Sequence, residues 1–372
     1  MVINNVEQAA AFLRTDHQLS DEALYLSLPD FCIAIRSNSF KFLHQLGKYF
    51  CHVVVESCNA NVTIEAYDTE VISQDLDWTD WAREPGKTGR KDAYVDLDDG
   101  RLLLKVRTGM LFLQSQQAVI AAGPCSALDN QVINFINSQY MNWLQQHDWL
   151  ICHASGLDVG GHGIGMAGLS GGGKSTLMLG LMDYPDVRYV TNDRLFIRRN
   201  ESGVSGRGIP KLPRINPGTI VHNPALHDLI SAERRQELLA IPKQELWHLE
   251  EKHDVMIDEV YGADRLSEEM KLDTFLVLNW SHDKDEPTQL KEVSIEDRRD
   301  LLPAIMKSPG PFFQFADGAM YQDSMQLEEQ AYIDALHGVR ILEASGKVDI
   351  PRLTKDLYQW IKSGKHAAKV SS

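Results

Sequence analysis

The chain has 372 residues, 43% apolar and 24% charged, with a formal net charge of −15. That length allows two domains, or one large domain with additions, around a substantial core. So acidic a surface repels nucleic-acid backbones and anionic membranes, and neither is expected as a partner. It would also repel a nucleoside triphosphate, so any spot rich in glycine and lysine stands out. The five cysteines, Cys32, Cys51, Cys58, Cys125 and Cys152, are odd in number and lack CxxC spacing. They fit reduced, mostly buried thiols in a cytoplasmic protein. The start, Met1-Val2-Ile3-Asn4-Asn5, has no basic region followed by an apolar run. No apolar stretch approaches the roughly 20 residues that cross a bilayer. The expected location is cytoplasmic.

Residues 1–30 read as one or two short polar helices. Residues 31–36 alternate like a strand, and 40–50 have helical spacing with Phe40, Leu43, Leu46 and Phe50 on one face. Strands follow at 52–56 and 62–67, a hairpin at 94–106 turning on Asp98-Asp99-Gly100, and two further strands at 110–113 and 118–122. This part reads as a smaller α+β domain over 1–124. Residues 131–146 have helical spacing, and 149–153 and 157–159 read as strands. From about residue 125 the order is strand, glycine loop, helix, strand. It predicts an α/β domain over 125–364, with a P-loop nucleotide-binding core on a mainly parallel or mixed sheet. Within it, 273–280 reads as a buried strand, and helices are expected at 295–307, 322–337 and 351–362. The tail, 365–372, is expected to be disordered.

Gly168-Leu169-Ser170-Gly171-Gly172-Gly173-Lys174-Ser175 fits GxxxxGK[ST] in full. Glycines let consecutive backbone N–H groups turn toward phosphate oxygens. Gly168, Ser170, Gly171, Gly172, Gly173, Lys174, Ser175 and Thr176 are therefore the expected nucleotide-binding residues. Lys174 would reach the β- and γ-phosphates, and Ser175 would ligate magnesium. An apolar lead-in at 164–167 precedes the loop, with Gly161, Gly163 and Gly165 expected in a turn before it. A helix-compatible run follows at 176–182. The helix that starts at the loop adds favourable potential for an anion.

Nineteen residues after Lys174 comes Asp193, at the end of the apolar run Tyr189-Val190-Thr191-Asn192-Asp193. A carboxylate at the end of a second strand near the loop is placed to hold magnesium; a turn aspartate is the alternative.

At this point the chain resembles the HPr serine kinase/phosphorylase family, most of all its divergent HPr-kinase-related branch. The family's pattern is a His-Ala or His-Gly strand, a turn, GxSGxGKS, a helix, and a strand ending in Ala-Asp-Asp-Arg. Here the matching residues are His153-Ala154-Ser155-Gly156, 168–175, and Thr191-Asn192-Asp193-Arg194. The resemblance covers about 150–200, fades toward 320, and does not extend over 1–120. It implies a kinase that uses ATP and magnesium, with His153 near the γ-phosphate and Asp193 at the metal. A histidine satisfied at a strand end remains the alternative for His153. Two departures stand out. The family's first paired acid, taken as the base for the substrate serine, is Asn192 here, and an amide cannot accept that proton near neutral pH. The family's Arg-Gly-Leu-Gly signature, tied to phosphorylase activity, is missing; the nearest counterpart is Glu250-Glu251-Lys252-His253.

Arg214 lies in Lys211-Leu212-Pro213-Arg214-Ile215-Asn216-Pro217-Gly218, a stiff connector able to aim cations at phosphate. The expected catalytic set is Asp193, His153, Lys174 and Arg214, and the expected metal ligands are Ser175 and Asp193. The reading is a phosphotransferase moving the ATP γ-phosphate to a hydroxyl of a protein serine or a small molecule, without efficient phosphorylase activity. Asn192 keeps a second reading open: an ATP-binding sensor without phosphotransfer. The acceptor and the oligomeric state are left open, a homo-oligomer among the possibilities.

Overall fold

The computed structural model of the protein describes residues 3–14, 17–72, 75–83, 88–168, 172–242, 245–246, 249–281 and 283–364. They form a mixed α/β architecture in two compact units. The first is the chain up to Asp148 together with Ser308–Gln326; the second is Trp149–Lys307 and the chain from Leu327 onward. The division expected after residue 124 thus falls after Asp148, because the helix α3 (Asp129–Gln146) packs on the first sheet. Its Phe135 ring lies 4.9 Å from Phe112, and its Tyr140 ring 5.8 Å from Phe31. The returning segment Ser308–Gln326 places Phe312 beside the same two phenylalanines, 5.6 Å from Phe112 and 5.1 Å from Phe135. There the fully buried Arg101 donates to the carbonyls of Pro311 and Tyr321 at 3.2 and 2.9 Å.

The first unit is built on β1 (Ala23–Leu28), β2 (Phe31–Ser37), β3 (Val54–Val55), β4 (Val62–Asp68), β5 (Thr79–Asp80), β6 (Asp92–Leu97), β7 (Gly100–Lys105), β8 (Leu111–Ser115) and β9 (Val119–Gly123). Their order is β3-β1-β2-β4-β9-β8-β7-β6-β5, parallel only at β2–β4 and β4–β9. The helical reading of 1–30 holds for α1 (Val6–Arg14) but not for Ala23–Leu28. That stretch pairs with β2 through a turn in which Asp30 takes φ 61, and alternates buried Leu26 and Leu28 with exposed Ser27. In α2 (Phe40–Tyr49), Ser39 caps the first turn by accepting from the Phe42 N–H at 3.3 Å. Phe40 consequently faces solvent, 64% exposed, and Phe42, Leu43 and Leu46 form the buried face. Cys32 and Cys58 are joined as a disulfide, with Cα atoms 6.5 Å apart, against the expectation that all thiols are reduced. Asn61 fixes this approach: its Oδ1 accepts from Cys32 N–H at 2.7 Å and its own N–H donates to the Cys32 carbonyl at 2.9 Å. Cys51 is exposed, and Cys125 and Cys152 are buried.

The second unit contains β10 (Leu150–Cys152), β11 (Ala154–Val159), β12 (His162–Gly168), β13 (Val187–Thr191), β14 (Leu195–Asn200), β15 (Gly203–Arg207), the short pair β16 (Arg214–Ile215) and β17 (His253–Asp254), β18 (Glu269–Ser281), β19 (Gln289–Val293) and β20 (Arg340–Lys347). The main sheet runs β10-β14-β15-β18-β12-β11-β13, and the far half of β18 also pairs with β20. Only β12–β18 and β18–β20 are parallel, so the sheet is mixed rather than mainly parallel. Alternate residues of β18 serve opposite faces. Leu276 and Leu278 pack with α4 (Lys174–Met182) and the C-terminal helix Ile350–Lys362; Phe275 and Val277 pack with Leu302, Ile305 and Tyr332. Of the later helices expected, 295–307 reduces to a 3₁₀ turn and Leu302–Ile305, and 322–337 to Glu329–Ala335. The tail lies outside the described residues.

Gly163 and Gly165 are not in a turn but inside β12, where there is no room for a side chain. A Cβ at Gly163 would lie 2.2 Å from the Lys271 carbonyl oxygen, and one at Gly165 2.8 Å from the Phe275 ring. Backbone cannot yield as a flexible side chain can. Gly163→Ala is expected to destabilise the second unit by about 2–3 kcal/mol. Urea unfolding checks this; an unchanged midpoint would contradict the packing of β12 on β18.

Candidate functional site

The strand β12 ends at Gly168 and α4 begins at Lys174. Leu169, Ser170 and Gly171 lie outside the described residues, so the placed part of the motif is Gly168, Gly172, Gly173, Lys174, Ser175 and Thr176. Gly173 takes φ 81, a left-handed conformation that glycine adopts without strain. Its carbonyl accepts from the Leu177 N–H at 2.9 Å, which starts the helix, and the Trp280 indole donates to the Gly172 carbonyl at 2.8 Å. All six residues line a cavity of about 1640 Å³ in the second unit. The Thr176 hydroxyl is engaged by Thr219 at 2.9 Å.

Facing the loop is the turn after β13. The Thr191 hydroxyl donates to the Arg194 carbonyl at 3.1 Å and shapes the turn Asn192-Asp193-Arg194 into β14. The Asp193 carboxylate is the hub. Its Oδ1 lies 3.1 Å from His153 Nε2 and 3.5 Å from Lys174 Nζ, and its Oδ2 lies 2.7 Å from Arg194 Nη1. His153 sits between β10 and β11, its N–H donating to the Ile305 carbonyl at 2.8 Å; its own carbonyl accepts from Lys174 Nζ at 3.2 Å. Burial alone would raise the Asp193 carboxyl, but the Arg194 guanidinium, the His153 hydrogen bond and the Lys174 ammonium hold it well below the usual carboxylate range. Burial pushes the Lys174 ammonium down from its ordinary value, with Asp193 pulling it back up.

Three residues separated by up to 40 positions, His153, Lys174 and Asp193, thus meet in one contact set. Ser175 and Arg214 line the same cavity. Arg214, on β16, forms an ion pair with Asp254 at 3.0 Å. Asn192 lines the cavity too, and its Oδ1 is buried without a hydrogen-bond partner among the described residues. Of the Glu250–His253 stretch, Glu250 and Lys252 line the cavity, and His253 pairs with Glu251 at 3.2 Å. His162 lies on β12, 3.3 Å from Asp273.

Sequence reasoning passed over Arg194 as a charge partner and set Lys211 below Arg214. Lys211 lines the cavity, and burial, reinforced by Arg194, pushes its ammonium down to about 8. The signal was its place between glycines and prolines, a segment unable to move its cations away. The unfolded chain holds this proton up to the ordinary 10.5, so between the two values it binds more protons than the folded chain. The destabilisation is complete below pH 8 and fades as pH rises toward 10.5. Lys211→Met is expected to raise the thermal midpoint at pH 7, the gain shrinking by pH 10. A gain that grows with pH would contradict this.

Among the described residues no three His, Cys, Asp or Glu side chains converge to cage a metal. Ser175 and Asp193 are hard oxygen donors. Such a small set fits magnesium, which keeps waters and takes substrate phosphate oxygens rather than a full protein cage. The orphaned Asn192 Oδ1 supplies one further acceptor for a bound water.

No protein-family model matches the chain, and no curated protein does. Among solved structures it is similar to the Hpr(Ser) kinase/phosphatase from Coxiella burnetii, at 11% identity and a TM-score of 0.32, over 59% of this chain and 99% of that one. A likeness of that size assigns no role to any residue. Among the described residues no helix is long and apolar enough to cross a membrane.

Proposed function

We propose that the second unit binds a magnesium-chelated nucleoside triphosphate at residues 168–176 and transfers its γ-phosphate to a hydroxyl. The observation that carries this reading is the convergence of Lys174, His153 and Asp193 on the cavity that the glycine motif lines. In the arrangement described, Lys174 rests on Asp193 and the His153 carbonyl. A triphosphate gives its ammonium a stronger anion, and the carboxylate it leaves is then free to face the metal. Magnesium held by Ser175 and Asp193 would neutralise charge on the β- and γ-phosphate oxygens. His153, donating from Nε2, would meet charge that develops on the phosphoryl oxygens.

In the transfer, the acceptor oxygen forms a bond to the γ-phosphorus while the bond from that phosphorus to the β,γ-bridging oxygen breaks. The diphosphate leaves with that electron pair, and the hydroxyl proton passes to water. Asn192 cannot take it, and Asp193, held ionised far into the acid range, is a weak base. The resulting slow chemistry favours, as a second reading, a sensor that binds nucleotide without transfer. Asn192→Asp separates the two. A base typically contributes about 10²–10⁴-fold, so the variant is expected to transfer at least tenfold faster than wild type. The gain should grow with pH, because a second carboxylate beside Asp193 raises one of the two pKa values. Transfer of labelled γ-phosphate is the readout. A wild type turning over at about 1–100 per second would show that another base is in place. Normal nucleotide binding with no transfer by either protein would favour the sensor.

A further inference from the structure

The cavity concentrates more positive charge than the glycine motif brings. Besides Lys174 it is lined by Arg194, Lys211 and Arg214, in a chain whose formal charge is −15. The three come from separate elements: the turn after β13, the segment 208–213, and β16. Their backbones are pinned. Gly208 passes so close to β13 that a Cβ would lie 2.0 Å from the Val190 carbonyl oxygen. The Tyr189 hydroxyl donates to the Lys211 carbonyl at 2.8 Å, the Lys211 N–H donates to the Ile209 carbonyl at 2.6 Å, and the Val255 N–H donates to the Pro213 carbonyl at 2.9 Å. These cations are therefore held together by the fold rather than gathered by a flexible loop.

Two carboxylates bind into this cluster, Asp193 on Arg194 and Asp254 on Arg214, and Asp193 is shared with His153 and Lys174. Burial and the two guanidiniums act together on Lys211 against the pull of Asp193 and Asp254. Like charges assembled in a partly desolvated wall are stabilised by an incoming anion. A triphosphate on the glycine loop already has Lys174, the helix start and magnesium. The cavity, at about 1640 Å³, exceeds the ~300–1,000 Å³ usual for a single small ligand.

Resting on the nucleotide reading above, we propose that Arg194, Lys211 and Arg214 form a second anion subsite, for a phosphate group on the acceptor. The hydroxyl that receives the γ-phosphate then belongs to a small compound that already carries a phosphate. Phosphate suits the subsite better than carboxylate, because cations arriving from three elements can meet tetrahedrally disposed oxygens, whereas a carboxylate presents two oxygens in one plane. Lys211 is here a specificity residue, distinct from the motif lysine.

The test uses the full chain saturated with magnesium and a non-hydrolysable ATP analogue, titrated calorimetrically with inorganic phosphate and, separately, with acetate. Phosphate is expected to bind the loaded wild type, at least tenfold more weakly to Lys211→Met, and near wild-type strength to Lys211→Arg. Analogue affinity should stay within threefold in both variants. Four results would each overturn the subsite: no phosphate binding to the loaded wild type, equal binding to Lys211→Met, acetate binding as tightly as phosphate, or a tenfold loss of analogue affinity in Lys211→Met. Should Lys211→Met not fold, Lys211→Gln takes its place. If the analogue does not bind wild type at all, the nucleotide reading fails by itself. Phosphate binding to the free chain that survives Lys174→Ala but not Lys211→Met would then still establish the subsite.

Discussion

Lys174→Ala is expected to weaken magnesium–ATP binding by more than tenfold and to abolish transfer. The lysine is the single cation the glycine motif itself supplies, and its ammonium is largely buried, so no solvent charge replaces it. Tenfold corresponds to about 1.4 kcal/mol, a modest demand on a partly desolvated ion pair with phosphate. The loop amides and helix start remain, so residual binding is expected. Folding should survive: Lys174 opens α4, where alanine is the best helix former, and the Gly173–Leu177 hydrogen bond uses backbone alone. Calorimetry with a thermal midpoint as control reads this. Equal affinity in a folded variant would move the nucleotide away from the loop.

Asp193→Asn is expected to reduce magnesium-dependent transfer by at least about 10²-fold, the scale seen when one charge-stabilising group is lost from an active site. The amide keeps the size of the side chain but withdraws the anion that faces His153, Lys174 and Arg194 at 3.1, 3.5 and 2.7 Å. Lys174 and Arg194 then have the nucleotide as their nearest anion. Affinity for ATP without magnesium should therefore hold or rise several-fold while the magnesium dependence of binding disappears. Titrations with and without EDTA separate the two effects. Wild-type turnover, or an unchanged response to magnesium, would place the metal ligand elsewhere.

How much of this was legible beforehand follows from which signals are local. The strand and helix that flank the glycine motif could be read because the pattern is made of consecutive residues, and the place of Asp193 because it closes the next apolar run. The resemblance implied His153 near the γ-phosphate and Asp193 at the metal but not their contact, which comes from the order β12-β11-β13 that spacing along the chain does not encode. The Gly163 and Gly165 pair was read as a turn because glycine marks both turns and close strand contact, and only the partner strand, with Phe275 and Lys271, decides between them. Helix Asp129–Gln146 was recognised from its period but assigned to the wrong unit, since an apolar face shows that a helix packs and not on what. Arg214 was expected to be free for phosphate; Asp254, 40 residues away on β17, could not be foreseen as its partner.

In the proposed complex the triphosphate lies on the glycine loop with its γ-phosphate turned to Asp193. A crystal structure with magnesium and a non-hydrolysable ATP analogue tests it most directly. The phosphates are expected against Gly172, Gly173 and the Lys174 ammonium, with the metal between Ser175 and Asp193. An analogue bound elsewhere, or phosphates on the loop with Asp193 still closed on Lys174 and His153, would contradict it.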